Sequence, residues 1–306
     1  MDDVDVTVVL PAYNEAGHIL NEIERINAGF AASPYTHEIL LIDDGSTDDT
    51  AAIVAGAPHV RLVRFNQNRG AGASRRYGTQ HAHAPIVAWT DADMSYPNER
   101  LPDLVAALER SGANQIVGAR RTEEGTHKWA RIPAKWVIRK IAESLSRSSI
   151  PDLNSGFRAF YRKDALPHLW LLPDGFSCVT TITLAFLCNG LTVEYWPIDY
   201  AKRAGKSHFR PIGDAYRYIL QVLRMITFFA PLRVFAPPAL FLLLLGLGKF
   251  LFDIIGGLIR DGDPFRLAAN TVLFIVTGLL LFAIGLLADL IVRVGQRVNE
   301  PDNNTV

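Results

Sequence analysis

Two apolar runs near the C-terminus limit what this chain can become more than any other feature. Phe235 to Ile259 and Leu267 to Val292 are dominated by Leu, Phe, Ile, Val, Ala and Gly. Each exceeds the roughly 20 helical residues that cross a hydrocarbon core. The first run contains Lys249 and Asp253, whose i,i+4 spacing lets them pair on one helix face. The same face offers a contact between copies of the chain, which would make a homo-oligomer. The second run is nearly uncharged until Asp289, which disfavours the competing reading of a buried soluble hairpin. The linker from Arg260 to Arg266 is short, so the two spans form a transmembrane hairpin. Arg224, Arg233, Arg293 and Arg297 flank its outer ends, while the linker's basic residues are offset by Asp261 and Asp263. The positive-inside bias puts both chain ends in the cytosol. The expectation is a multi-pass protein of the cell membrane with a cytosolic N-terminal domain.

The N-terminal residues agree with that placement. Asp2, Asp3 and Asp5 lead straight into a strand pattern, with no cleavable signal sequence. Cys178 and Cys188 lie in apolar contexts and read as buried thiols of a reducing compartment. Lys+Arg and Asp+Glu balance at 31 each, so charge gives no footprint for nucleic acid.

Residues 1–211 read as a soluble α/β domain. Apolar, β-branched runs at Val4–Leu10, Glu38–Ile42, Val60–Phe65 and Ile86–Trp89 alternate with helical spacing, as at Ile19, Ile23 and Ile26. Ser46 or Thr47 is placed to cap the helix that continues from Ala51 to Ala55. Such alternation predicts a doubly wound, Rossmann-like sheet, whose ligands bind beyond the carboxyl ends of the strands. Tyr13-Asn14-Glu15, Asp43-Asp44, Asn68-Arg69 and Asp91-Ala92-Asp93 then share one rim. Further strands are expected at Gln115–Gly118, after Arg158 and at Leu191–Ile198, with helices at Leu101–Arg110 and Phe176–Cys188. Residues 122–150, with Lys128, Arg131, Lys135 and Arg139 among Trp and Ile, fit an ordinary amphipathic helix with a solvated basic face. They equally fit a basic helix beside a membrane or an acceptor phosphate. Residues 212–233 read as interfacial amphipathic helices broken near Pro231, 234–293 as the two transmembrane helices and 294–306 as a polar tail.

The rim carries the chemistry. Asp91 and Asp93 follow a strand, and alternate residues at a strand end point roughly the same way, so the pair can share Mg²⁺ or Mn²⁺. Alone, the pair is as well explained as a polar turn. Asp43 or Asp44 can accept from ribose hydroxyls or a base edge. Arg120 and the loop Lys202–Lys206 can add phosphate contacts. Together these groups suit a nucleotide-sugar, whose departing diphosphate needs its charge neutralised.

The motifs Val9-Leu10-Pro11-Ala12-Tyr13-Asn14-Glu15, Ile42-Asp43-Asp44-Gly45-Ser46-Thr47-Asp48 and Asp91-Ala92-Asp93 resemble those of family-two glycosyltransferases of the GT-A fold. Asn68-Arg69-Gly70, Gly118-Ala119-Arg120, Ser155-Gly156-Phe157-Arg158 and Arg203-Ala204-Gly205-Lys206-Ser207 are similar to the polyprenyl-phosphate sugar synthases of the dolichyl-phosphate mannose synthase type. The resemblance implies donor contacts from Pro11, Tyr13, Glu15, Asp43, Asp44 and Lys206. It implies a metal-diphosphate site at Asp91 and Asp93, with Ser95 where some members use Gln, and closure over the donor by Arg203. It places Arg120, Arg131 and Ser155 at the lipid phosphate. His208 stands where a Lys often follows that loop.

Acceptor hydroxyls need a base to remove their proton. Between Gly175 and Val193 the chain has no Asp or Glu, where related hydroxyl-using enzymes carry an acidic motif; Asp174 is the nearest remaining base. Gln-x-x-Arg-Trp, a motif of processive polymer synthases, is absent from the chain. The expected activity is inverting transfer of one sugar from GDP-mannose or a UDP-hexose to a polyprenyl or dolichyl phosphate. Rival readings are transfer to a hydroxyl-bearing glycolipid, and a non-catalytic membrane-anchored nucleotide-sugar-binding protein.

Overall fold

The structure, a computed structural model, describes residues 4–120, 150–175, 177–201, 227, 231–260 and 268–298. The chain divides into two compact units, Met1–Ile219 and Leu220–Val306. In the first, β1 (Val6–Ala12), α1 (Ile19–Ala31), β2 (His37–Asp43), α2 (Thr50–Val54), β3 (Val60–Arg64), α3 (Ala71–His81) and β4 (Ile86–Trp89) alternate as expected. Then come α4 (Leu101–Ser111), β5 (Gln115–Arg120), β6 (Arg158–Tyr161), the short α5 (Arg162–Ala165), α6 (Cys178–Cys188) and β7 (Val193–Ile198).

The described strands form one sheet of order β3-β2-β1-β4-β6-β5-β7. β1 to β4 are parallel. β6 runs antiparallel between β4 and β5, so the sheet is mixed rather than uniformly parallel. β5 and β7 are parallel to each other and, through β6, to β4. The carboxyl ends of six strands and the amino end of β6 therefore meet on one rim.

Alternation along the strands feeds two cores. Val8 and Leu10 pack with Ile19, Ile23, Ile26 and the α4 leucines on one face. Val9, Val87, Trp89 and Phe160 pack with α6 on the other. The Trp89 indole N–H donates to Thr79 Oγ1 at 2.9 Å, which fixes α3 across the strand. Truncating a buried aromatic such as Phe160 to Ala costs about 3–5 kcal/mol. Pro11 is tolerated inside β1 for a simple reason. The last β1–β4 pair is Val9 with Trp89, and the Thr90 N–H reaches the Val9 carbonyl. Pro11, two residues on, faces that same side where no ladder remains.

The second unit holds α7 (Pro231–Arg260) and α8 (Ala269–Val298). Their stretches Pro231–Ile259 and Ala269–Val292 are long and apolar enough to cross a membrane. Residues 228–230, just ahead of Pro231 where the interfacial helices are expected to break, lie outside the described residues. Residues 212–226 of the expected interfacial segment lie outside the described residues. Gly246 and Gly278 let the helices approach closely, since an added Cβ would meet Ile275 or Leu243 side-chain atoms at 2.6 and 2.8 Å. Lys249 pairs with Asp253 as its spacing foretold. Asp253 also accepts from the Thr271 hydroxyl at 2.5 Å and the Ala268 N–H at 3.1 Å, so it ties α7 to the first turn of α8.

Candidate active site

The first two strand ends are laced together by the residues that link them. Asn14 adopts a left-handed φ of 57°. Its N–H donates to Ser46 Oγ at 3.0 Å, and its Oδ1 accepts the Thr47 N–H at 2.8 Å. Ser46 and Thr47 therefore do not cap α2. The N-cap is Asp49, which makes no side-chain cap bond; Asp48, just before it, accepts the Thr50 N–H at 3.0 Å, and Thr50 Oγ1 accepts the Glu15 N–H at 2.9 Å. Tyr13 and Glu15 are thus held on the rim, Tyr13 among its exposed side chains.

Asp43 and Asp44 have different situations. Asp44 is buried, and its two oxygens accept the Arg69 and Gly70 N–H groups at 2.8 and 2.7 Å. Burial raises its pKa, with those two bonds working the other way. Its geometry shapes the loop before α3. Asp43 takes the Ser46 N–H on Oδ1 at 2.9 Å and faces Arg64 Nε at 3.1 Å from Oδ2, an oxygen to which no hydrogen-bond donor among the described residues is aligned. Of the two, Asp43 keeps the acceptor that a base or ribose could use.

The acidic turn departs from the strand-end argument. β4 ends at Trp89, so strand alternation does not orient Asp91 and Asp93. Asp91 pairs with Arg75 of α3. Arg75 is wholly buried beside Trp89, its guanidinium 5.6 Å from the ring. Burial is the largest single influence and lowers the Arg75 pKa, but Asp91, Cys178 and Tyr96 together raise it above the ordinary value. Asp93 is buried and accepts from the Ser95 hydroxyl and, at 3.1 Å, the Ser95 N–H. Ser95 thus supports Asp93 through its side chain. Met94 between them has a φ of 63°.

Arg120 is held by Asp152, Nε and Nη2 donating to the two carboxylate oxygens at 2.6 and 2.9 Å. Burial works against the Asp152 carboxylate, but the Arg120 fork prevails and holds its pKa below the ordinary range. The Arg120 guanidinium also lies 5.2 Å from the Tyr200 ring. Ser155 is buried, and among the described residues its Oγ has no hydrogen-bond partner. Its carbonyl is gripped by Arg158, a second buried arginine whose pKa burial and then Arg75 lower to about 10. Tyr96 joins these parts, its phenol oxygen accepting the Gly156 N–H at 2.8 Å. An added Cβ at Gly156 would stand 2.8 Å from Arg75 Nη2 and 3.1 Å from Asp91 Oδ2, so only glycine fits against that ion pair. The stretch after β7 is fastened here too, the Ala201 N–H donating to the Ser95 carbonyl at 3.0 Å.

The structure therefore gathers Pro11, Tyr13, Glu15, Asp43, Asp44, Asp91, Asp93, Ser95, Arg120 and Ser155 on one rim. Arg131, Arg203 and Lys206 lie outside the described residues. Asp174 pairs with Arg76 at 2.6 Å, and its carbonyl accepts the Gly72 N–H at the start of α3. Sequence reasoning missed Arg75, Asp152 and Glu22. Glu22 alone left a signal, since it lies on the same helical stripe as Ile19, Ile23 and Ile26.

The acidic turn fits a hard divalent cation in a specific way. Among the described residues, no group of three or more His, Cys, Asp or Glu could hold an ion unaided. Two carboxylates suffice for Mg²⁺ or Mn²⁺ only when waters and phosphate oxygens complete the shell, which is how such ions bind at phosphate sites.

Residues 7–170 match the model for glycosyl transferase family 2, more than half of the chain. The protein belongs to that family and is a glycosyltransferase. Residues 230–294 match the GtrB C-terminal hairpin. Dodecaprenyl-phosphate galacturonate synthase of Rhizobium johnstonii is 23% identical over 322 residues, covering 100% of this chain and 93% of that protein. Undecaprenyl-phosphate 4-deoxy-4-formamido-L-arabinose transferase of Pseudomonas savastanoi is 28% identical over 302 residues, covering 94% and 86%. Among solved structures, glucosyl-3-phosphoglycerate synthase of Mycobacterium tuberculosis, in complex with Mn²⁺, uridine diphosphate and glucosyl-3-phosphoglycerate, superposes with a TM-score of 0.55. It is 20% identical and covers 73% of this chain and 79% of that one. The fold is of the GT-A type.

Proposed function

We propose that the protein transfers a single sugar, with inversion, from a nucleotide-sugar to a polyprenyl phosphate at the cytosolic face of the membrane. The observation that supports this reading is the state of the carboxylates near the acceptor side among the described residues. α6 has none along its length, Asp174 is tied to Arg76, and Asp152 is tied to Arg120, which lowers its pKa and makes it a weaker base. A hydroxyl acceptor needs a base, whereas a phosphate monoester arrives already ionised. The names of the relatives support the same acceptor class.

In this reading Asp43 holds the nucleoside, with Pro11, Tyr13 and Glu15 lining the rim beside it. Asp44 shapes the loop that carries Arg69. Asp91 and Asp93 would hold a divalent cation, Mg²⁺ or Mn²⁺, which when bound would supply charge neutralisation for the leaving diphosphate. Arg120, aimed by Asp152, grips the acceptor phosphate, with Ser155 and Arg131 beside it; Arg203 and Lys206 cover the donor. Rate enhancement rests on positioning and electrostatics. The hairpin of α7 and α8 anchors the chain with both ends in the cytosol. GDP-mannose and UDP-hexoses are both candidate donors.

Offering labelled donors with polyprenyl phosphate or with diacylglycerol tests the proposal. Label is expected in a polyprenyl-linked, acid-labile product and not in diacylglycerol. Transfer to diacylglycerol alone overturns the acceptor assignment, and the donor that supports transfer identifies the nucleotide.

A further inference from the structure

We propose that Glu22 is a positioning residue for the acidic turn. Its carboxylate on α1 sets where Asp91 and Asp93 stand, and so how tightly the site takes up a divalent cation together with a nucleoside diphosphate. The inference rests on the role given above to Asp91 and Asp93.

The apolar stripe of α1 calls for a hydrophobic residue at position 22, yet a glutamate stands there, completely buried. A buried carboxylate persists only where its oxygens are satisfied. One Glu22 oxygen faces Arg25 Nη1 at 3.1 Å, and the other accepts from Asn98 Nδ2 at 2.5 Å. Each partner leads to the same turn. Asn98 Nδ2 also donates to the Asp91 carbonyl at 3.1 Å, while Asn98 Oδ1 accepts from the Thr90 hydroxyl. Arg25 donates to the Tyr96 carbonyl at 3.0 Å and pairs with Glu99 at 2.5 Å. Three residues of the turn, Thr90, Asp91 and Tyr96, are thus fixed by one carboxylate and its two neighbours.

Met94 shows why the arrangement matters to the site and not only to the fold. Its φ of 63° is one that L residues other than Asn and Asp rarely adopt. Its sulfur lies 4.0 Å from Nη1 of Arg25, the guanidinium that Glu22 pairs with. Without Glu22, the Asn98 and Arg25 side chains that grip the turn lose their shared partner, and the backbone following Asp93 is free to return to the ordinary region. That return shifts Asp93 and Ser95 relative to Asp91, which Arg75 anchors from the other side. A leucine at position 22 would fill the core equally well but leave the turn untethered.

Glu38 serves as the control. It is also a largely buried carboxylate, bound to Arg61 at 3.1 Å and Thr7 at 2.7 Å. It lies near the amino end of β2, on the rim opposite the site. The experiment compares Glu22→Gln with Glu38→Gln in the full-length, detergent-solubilised protein. Mn²⁺ uptake is titrated in the presence of UDP or GDP, amide exchange is followed across residues 90–99, and Tm is recorded. Glu22→Gln is expected to weaken Mn²⁺ uptake by about 10–100-fold, the usual effect of losing a group that orients metal ligands, and to speed exchange at Met94 and its neighbours. Glu38→Gln is expected to lower Tm while leaving both readouts at the wild-type value. Wild-type uptake and exchange in Glu22→Gln, or an equal loss in Glu38→Gln, overturns the proposal. Should Glu22→Gln not fold, Asn98→Ala removes one arm of the tether and must change uptake and exchange in the same direction. A wild-type protein that takes up no Mn²⁺ overturns the cation reading of Asp91 and Asp93. The exchange rates at Met94 then decide the positioning role by themselves.

Discussion

Asp91 and Asp93 look alike in the sequence and differ in the structure, and the difference makes their substitutions separable. Asp91 is the counterion of a wholly buried guanidinium, so Asp91→Asn weakens a charge-assisted bond and lowers stability by about 1–3 kcal/mol. Asp93 is bonded to the adjacent Ser95, and Asp93→Asn keeps the shape at a smaller cost. Both are expected to lower kcat by at least about a hundredfold, measured as sugar transfer per folded molecule. Wild-type turnover in either variant removes the cation from Asp91 and Asp93. Arg120 gives a second residue-scale expectation. Lys cannot reproduce its fork on Asp152, so Arg120→Lys should raise KM for polyprenyl phosphate about tenfold with the donor KM unchanged; an effect on the donor KM instead would reassign Arg120. The carboxylates of the rim were legible because strand–turn punctuation places them. Arg75 and Asp152 were not, because each takes its meaning from a partner distant in sequence, and no local pattern announces that partner.

At the scale of elements, periodicity located most strands and helices but could not give direction. Arg158–Tyr161 reads as a strand in either sense, and only the sheet shows it antiparallel between β4 and β5. That reversal brings Ser155 and Gly156 to the rim with Arg120. Ser46 and Thr47 were misread as caps because a cap and a strand-to-strand tie use the same residues. The contact of α1 with β2 supplies a pH test. His37 stacks on Phe30 at 4.3 Å and shares a 2.8 Å hydrogen bond with Asn27 Oδ1. Burial, helped by His59, lowers its pKa from 6.5 to about 4. The folded state therefore holds His37 neutral while the unfolded chain takes up a proton below pH 6.5. Stability is full above that value and falls as pH drops towards about 4. In His37→Gln, Tm between pH 7 and pH 5 should fall less than in the wild type. Parallel curves would show that His37 contributes nothing to the acid sensitivity.

For the whole molecule, composition alone announced the two apolar helices, because a long run without charge has few other uses. It also foretold the Lys249–Asp253 pair, though not that Asp253 reaches α8. What composition cannot say is whether the second unit contributes to chemistry or only to location. The residues assigned to donor, cation and acceptor phosphate all fall within Met1–Ile219, which argues for location. A chain ending at Ile219 is then expected to bind UDP or GDP with Mn²⁺ as tightly as the full protein. It should also transfer sugar to a short, water-soluble prenyl phosphate at a comparable kcat. With long-chain polyprenyl phosphate in vesicles its rate should collapse, because a soluble enzyme meets a membrane-held acceptor only by chance collision, without the raised local concentration that anchoring gives. Measuring both acceptors with both chains separates the roles. Loss of transfer to the short acceptor would mean that α7 and α8 complete the site, whereas an undiminished rate on vesicles would mean that the hairpin serves some purpose other than holding the enzyme beside its lipid.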